Sequence, residues 1–148
     1  MNAPDKTPKS APRDVPRGKL PLDYVVRGLV DDGLVDATVA ERVLSVKKRE
    51  TLVHPLTLLA EMNLRTPDAA RELLDIERLT QWLADRVRLP YQHIDPLRVD
   101  FARVVDMFSS TYATAYSILP LASSGSEVTV GTCEPFHEDW IPESERLT

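Results

Sequence analysis

Between residues 21 and 46, apolar residues recur at the spacing of an α-helix. Leu22, Val25, Val26, Leu29 and Val30 stand at i, i+3, i+4, i+7 and i+8, which predicts one apolar stripe. Gly33 follows in the position that favours a left-handed residue at a helix end. Asp36 is expected to cap a second helix with Val39, Ala40, Val43 and Leu44 inward. So short a link predicts antiparallel packing of the two helices.

Three more helical stretches are predicted before residue 89. Pro55 suits the first turn of a third helix after His54, with Asn63 as a left-handed residue at its end. Thr66 and Pro67 predict a short fourth helix over residues 69–74. A fifth helix capped by Asp75 is expected to direct Ile76, Leu79, Leu83 and Val87 inward. Trp82 lies beside this stripe and is predicted in the core or at a subdomain border.

The pattern changes after residue 88. Pro90 and Pro96 bracket a short predicted strand, Tyr91 to Ile94. Asp100 is expected to cap a helix with Phe101, Val104, Val105 and Phe108 inward, and Ser109 or Ser110 to cap another. The run ILPLASSGSEVTVGTCEP predicts a β-hairpin in which Gly125 supplies a positive φ and Pro135 closes the second strand.

These elements predict an α+β fold. We expect a disordered, proline-rich leader over residues 1–20 and a helical N-terminal subdomain over residues 21–88. A small mixed sheet, made of the short strand plus the β-hairpin and covered by helices, is expected over residues 89–142. Residues 143–148 are interpreted as a tail, and the natural chain is expected to continue beyond Thr148.

Composition narrows the function classes. The net charge of -5 argues against general nucleic-acid binding, which favours a basic surface. The single cysteine, Cys133, cannot form an intrachain disulfide and fits a reducing compartment. The sequence has neither the roughly 20-residue apolar run of a membrane span nor the apolar segment of a signal peptide. The prediction is a soluble, cytosolic protein without membrane insertion.

The sequence offers no catalytic motif. It lacks a phosphate-binding loop, since Gly18-Lys19 is followed by Leu20, and it lacks GxGxxG and GxSxG motifs. Cys133 and His137 have the spacing of half a zinc site, but there is no second pair, so Cys133 is interpreted as filling an apolar gap on a strand. Glu134 and the neighbouring acids are interpreted as caps and surface charges. We predict no catalytic residue, no metal ligand and no cofactor-binding residue in this segment.

Three runs, taken in order, carry a family resemblance. WLADRVRLPYQHIDPLRVD, YATAYSILPL and VTVGTCEPF together resemble the N-terminal domain of type II secretion and type IV pilus assembly ATPases. The resemblance spans roughly Leu20 to Pro142 and is strongest from Trp82 onward.

The resemblance implies a hexameric cytoplasmic ATPase whose ATP- and Mg-binding domains lie C-terminal to this segment. It implies that this domain docks the motor onto the cytoplasmic part of an inner-membrane platform protein, so that it would be peripheral to the membrane. The sequence leaves open whether the system is a secretion or a pilus system. The outer side of the first helices, around Tyr24, Arg27 and Asp31, is our predicted partner-binding surface, since tyrosine and arginine commonly anchor interfaces.

Some relatives bind cyclic di-GMP through two tandem copies of an RLGxxLxxxG…L…L…Q pattern. The first copy here keeps Leu29, Gly33 and Leu44 but has Tyr24-Val25-Val26 in place of Arg-Leu-Gly, Ala40 at a leucine position and Lys47 in place of Gln. The second copy keeps Leu59 and Leu74 but has His54-Pro55-Leu56 and Asn63 in place of Arg-Leu-Gly and Gly. Because the arginines that would bind phosphate or guanine are missing, cyclic di-GMP binding is not expected.

Three functions therefore stay open. They are a docking domain, which the resemblance favours, a cyclic-di-GMP sensor with a degenerate motif, and a stand-alone enzyme.

Overall fold

A computed structural model describes residues 16–46, 53–99, 102 and 109–142. Within these ranges the chain forms five helices and one two-stranded antiparallel sheet. The helices are α1 (Leu22–Asp31), α2 (Ala37–Val46), α3 (Pro55–Glu61), α4 (Ile76–Val87) and α5 (Ser110–Tyr116), and the strands are β1 (Ile118–Ser124) and β2 (Glu127–Thr132). The predicted α+β class is confirmed.

The predicted stripe of α1 forms the centre of the helical core. Val25, Val26 and Leu29 are almost completely buried, and α1 contacts both α2 and α3. Helix α3 in turn contacts α4, which contributes Leu79 and Leu83 to the same cluster. The helical half therefore folds around the apolar faces that its periodicity predicts.

Side-chain caps fix where several helices begin. The caps, with their distances to the backbone N–H of the third residue on, are Asp36 to Val39 at 2.8 Å, Asp75 to Arg78 at 2.8 Å and Ser109 to Tyr112 at 3.1 Å. Each oxygen accepts from an amide that has no partner within the helix. These three predicted caps are confirmed.

Residues 69–74 do not form the predicted fourth helix. The Thr66 hydroxyl accepts from the amide of Glu72 at 2.9 Å and donates to Asp68 at 2.7 Å, while the Thr66 amide donates to the Glu72 carbonyl at 2.9 Å. Arg71 has a φ of 48°, outside the right-handed helical region. Thr66, which is buried, thus closes a compact loop instead of capping a helix.

Helix α4 turns one predicted core residue outward. Ile76 is 48% exposed, whereas Leu79, Trp82 and Leu83 are buried. Ile76 is the first residue of the helix, next to its cap, and the inward face begins one turn later. The prediction of an inward Ile76 is therefore wrong.

The segment from Tyr91 to Ile94 is not a strand. It has no ladder partner among the described residues, and the only sheet described there contains β1 and β2. Two prolines correctly indicated a non-helical segment, but extended backbone becomes a strand only when a neighbour accepts its hydrogen bonds. The expected third strand of the sheet is thus corrected to an unpaired connection.

The β-hairpin forms as predicted, with a local irregularity. Residues 118–120 pair with 130–132, and the register then shifts so that Ala122 lies opposite Thr129. Leu121 is the extra residue, next to Pro120, and a bulge is one of the few sheet positions that tolerate proline. Gly125 occupies the turn with a φ of 61°, as predicted.

Several predictions lie outside the described residues. They concern residues 1–15 of the leader, the predicted helix from Asp100 to Phe108 apart from the helical Ala102, and the tail 143–148.

Candidate functional site

The predicted partner-binding residues occupy different environments on α1. Tyr24 is half-buried, and its ring packs edge-on against Phe136 with centroids 5.2 Å apart. Arg27 is exposed. The Asp31 side chain is 69% exposed and lies 3.8 Å from the guanidinium of Arg86. Arg27 and Asp31 are accessible to a partner, whereas Tyr24 already serves the packing of the chain on itself.

Arg86, from the last turn of α4, connects Tyr24 with the end of α1. Its guanidinium carbon lies 5.9 Å from the Tyr24 ring centroid and 5.7 Å from that of Trp82. A guanidinium at this distance from aromatic rings makes cation–π contacts. It also lies 3.3 Å from Asp32. No local pattern singles out Arg86, because Tyr24 and Asp32 are more than 50 residues away in the chain.

Gly28 lets the side chains of Trp82 and Arg86 on α4 pack against the backbone of α1. A Cβ atom at this position would lie 2.7 Å from Cζ2 of Trp82 and 2.8 Å from Nε of Arg86. Gly28 is buried within α1, where glycine is otherwise an unfavourable residue. The indole lies so close that a larger residue would not fit, which explains why glycine occupies this helical position.

A buried carboxylate joins three distant parts of the chain. Glu134 is 8% exposed, and its Oε2 accepts from the amide of Leu20 at 2.6 Å. Its Oε1 lies 3.7 Å from Nε2 of His54, which precedes α3. A further bond runs from the Gly18 amide to the Phe136 carbonyl at 3.0 Å. We name His54, Glu134 and residues 18–20 the leader junction.

The leader junction corrects two sequence interpretations. Glu134 is not a surface charge, because its carboxylate is buried on the Leu20 amide. Cys133 does not fill an apolar gap on a strand, since it is exposed and follows the last residue of β2. Its carbonyl accepts from Nε2 of His54 at 2.7 Å. No local pattern could have revealed these contacts, since their partners are 79 to 114 residues apart.

His54 has a shifted acidity in this junction. Burial of the ring lowers the pKa, but the interactions with Cys133 and the negative charge of Glu134 outweigh burial, so that the pKa of His54 is raised above 6.5. The ring also caps α3, because Nδ1 accepts from the amide of Leu56 at 3.2 Å. The imidazole is thus held by a helix on one side and by the exit of the hairpin on the other.

The positions that resemble a cyclic-di-GMP pattern are engaged within the chain. Tyr24 and His54, which stand where the pattern has arginine, contact Phe136 and Cys133. Gly33 and Asn63, at its glycine positions, both have a positive φ, of 75° and 53°. The repeated backbone geometry is therefore present, while the charged groups that would bind a phosphate are replaced by residues with internal partners.

Two kinds of feature are absent from the described residues. No group of three or more His, Cys, Asp or Glu side chains is placed there to hold a metal ion. No described helix is both long and apolar enough to cross a membrane.

The chain is similar in sequence to a known protein. The type IV pilus assembly ATPase TfpB of Acinetobacter baylyi (strain ATCC 33305 / BD413 / ADP1) is 34% identical over 94 residues, which are 64% of this chain and 16% of that protein. This relative confirms the predicted resemblance to the N-terminal domain of pilus assembly and secretion ATPases. The chain thus spans about one sixth of the length of this relative.

A solved structure also resembles the chain. The structure of MshE with cyclic di-GMP (cdg) matches 86% of this chain and 79% of its own, with a TM-score of 0.48 and 19% sequence identity. No family model matches the sequence.

Proposed function

We propose that the chain is the non-catalytic N-terminal docking and regulatory domain of a pilus-assembly or secretion ATPase. In this proposal it binds the cytoplasmic part of an inner-membrane platform protein and so is cytoplasmic and peripheral to the membrane. The single observation that carries the proposal is the 34% identity to the type IV pilus assembly ATPase TfpB. The name of this relative favours a pilus system over a secretion system.

The other domains of the same ATPase would be its second partner. ATP and Mg would bind to those domains, C-terminal to this segment, and the domain described here would position and regulate the motor. This division of labour is supported by the absence from the sequence of a phosphate-binding loop. Nucleic acid is not expected as a partner because the chain carries a net charge of -5.

We place the docking surface on the outer side of α1. Arg27 is exposed there, and Asp31 is exposed close to the cationic Arg86. Charges at the rim of an interface mainly steer association and set specificity. Tyr24 contributes a half-buried ring between this surface and Phe136.

Binding to the purified cytoplasmic domain of the platform protein tests the proposal. Calorimetry with the 148-residue chain should detect a complex, and Arg27→Glu should weaken it by about five- to tenfold or more. The matched control is Arg42→Glu, a charge reversal at an exposed position of α2, which should leave the affinity unchanged. Absence of binding between two folded partners contradicts docking; equal affinity of the Arg27→Glu variant contradicts only the surface.

A cyclic-di-GMP-binding regulatory domain is the alternative function. We expect no binding, because Tyr24 and His54 have internal partners where the pattern has arginines. Calorimetry with cyclic di-GMP at high micromolar concentration should show no heat of binding. Saturable binding that survives in Arg27→Glu would favour the alternative and would place the ligand away from the proposed docking surface.

A further inference from the structure

The hydrogen-bond partners of its two ring nitrogens fix the tautomer of His54. Nε2 lies 2.7 Å from the carbonyl oxygen of Cys133, which can only accept, so that Nε2 carries the proton. Nδ1 lies 3.2 Å from the amide of Leu56, which can only donate, so that Nδ1 offers its lone pair. The neutral imidazole therefore satisfies both neighbours at once.

Protonation of the ring changes this arrangement on one side only. A proton on Nδ1 would face the N–H of Leu56, so that two donors would meet and the cap of α3 would be lost. On the other side, Nε2–H keeps its carbonyl acceptor and gains attraction to Oε1 of Glu134 at 3.7 Å. The charged ring is thus favoured by the hairpin exit and disfavoured by the helix.

The titratable and charged groups near His54 all lie on the side of the hairpin exit. Among the described residues, Glu134 is the charged group near the ring and Cys133 is the other titratable one, both from the segment after β2. The Glu134 side chain is about 10% exposed and that of His54 about 20% exposed, so that solvent screens their attraction only in part. Glu134 also holds the Leu20 amide, so that its environment is coupled to the leader.

We propose that His54 is a proton-operated coupler that caps α3 when neutral and pairs with Glu134, the anchor of the leader, when protonated. Acidification then removes the cap of α3. It also strengthens the attraction of His54 to the hairpin exit, which the ring already contacts through the Cys133 carbonyl in its neutral form. The coupler is a property of this fold and does not depend on the proposed docking function. In a motor domain it would make the attachment of the leader and hairpin to the helices respond to pH.

A pH titration of the isotope-labelled 148-residue chain by NMR tests the coupler. Long-range ¹H–¹⁵N spectra should show the Nε2–H tautomer of His54 at high pH. The chemical shift of the Leu56 amide should change with the same midpoint pH as the signals of the imidazole ring. Below that pH, hydrogen exchange of this amide should be about fivefold faster than the pH dependence of the intrinsic exchange rate predicts. The Leu20 amide should stay protected throughout.

Two variants separate the coupler from a merely structural contact. Glu134→Gln keeps an acceptor for Leu20 but removes the charge, so that the pKa of His54 should fall while the leader stays attached. Glu77→Gln is the matched control, since Glu77 lies near the exposed His93 and should leave the titration of His54 unchanged. His54→Asn, which can still cap a helix, should abolish the titration of the Leu56 amide.

Three results would overturn the coupler. They are an Nδ1–H tautomer, a Leu56 amide that does not follow the titration of His54, and a titration of His54 that is the same in Glu134→Gln as in the unmodified chain. If His54→Asn fails to fold, the Glu134→Gln titration decides the question alone.

Discussion

The indole Nε1 of Trp82 donates a hydrogen bond to the carboxylate of Asp32 at 2.7 Å. Trp82 belongs to α4 and Asp32 directly follows α1, so that this bond links the two helices through residues that are 50 positions apart in the chain. Gly28, one turn earlier on α1, leaves the space that the indole fills. The helical half is therefore held by a specific polar contact as well as by its apolar core.

Replacing Trp82 by Phe should destabilise the fold. The variant loses the hydrogen bond to Asp32 and leaves part of a buried site empty. We expect a loss of about 1–2 kcal/mol in the free energy of unfolding. Urea denaturation followed by circular dichroism measures it. The control is Asp31→Asn, whose exposed carboxylate lies 3.8 Å from Arg86 and should matter by less than about 0.5 kcal/mol.

Gly28→Ala should also destabilise, although alanine favours helices. The new methyl group would lie 2.7 Å from the Trp82 ring, and overpacking of this kind costs about 1–3 kcal/mol. The gain in helix propensity is about 1 kcal/mol, so that we expect a net loss of up to about 2 kcal/mol in the free energy of unfolding. A double-mutant cycle in urea checks the cause. The cost should shrink when Trp82 is already Phe, because the clashing atoms of the indole are gone; an equal cost in both backgrounds would exclude the clash.

Local chemistry predicted much of the fold. The stripe of α1, the cap at Asp75 and the turn at Gly125 were all predicted, because each depends on residues close together in the chain. Thr66 shows where this reasoning fails. Its hydroxyl could cap a helix or close a loop. In the structure it accepts from the amide of Glu72 and so closes a loop. Such a competition is settled by packing, which a single sequence does not display.

The leader junction could not be predicted for a related reason. Acidic residues are mostly exposed, and the sequence accordingly predicts Glu134 to be a cap or a surface charge. Its burial depends on an amide 114 residues earlier, at Leu20, and on an imidazole before α3. The docking residues Tyr24, Arg27 and Asp31 stay a prediction, since exposure of Arg27 and Asp31 permits binding without demonstrating it.

The N-cap of α4 should be worth a measurable part of the stability. The Asp75 carboxylate accepts from the Arg78 amide at 2.8 Å, and α4 carries Leu79 and Trp82 into the core. Asp75→Ala should therefore cost about 1 kcal/mol in thermal or urea unfolding. Asp75→Asn, which retains an acceptor of similar reach, should lower the free energy of unfolding by at most a few tenths of a kcal/mol. Similar losses in both variants would show that charge, and not capping, is responsible.

The stability of the fold should depend on pH through His54. The pKa of His54 is 6.5 in the unfolded reference and is raised in the folded chain. A raised pKa means that the folded state holds its proton more tightly. The contribution to the free energy of unfolding is therefore fully present below pH 6.5, and it is lost as the pH rises through the folded pKa.

His54→Asn isolates this contribution. Asparagine can still accept from the Leu56 amide, so that the cap of α3 is retained while the titrating group is removed. Urea unfolding at a series of pH values between 5 and 8 should show that the difference between the unmodified chain and His54→Asn is larger at low pH. The contributions of His93 and His137 cancel in this difference, because both chains contain them. A difference that is constant across the series would mean that the folded state does not hold the proton more tightly, and a difference that grows with rising pH would mean that burial and the cap of α3 outweigh the charge of Glu134.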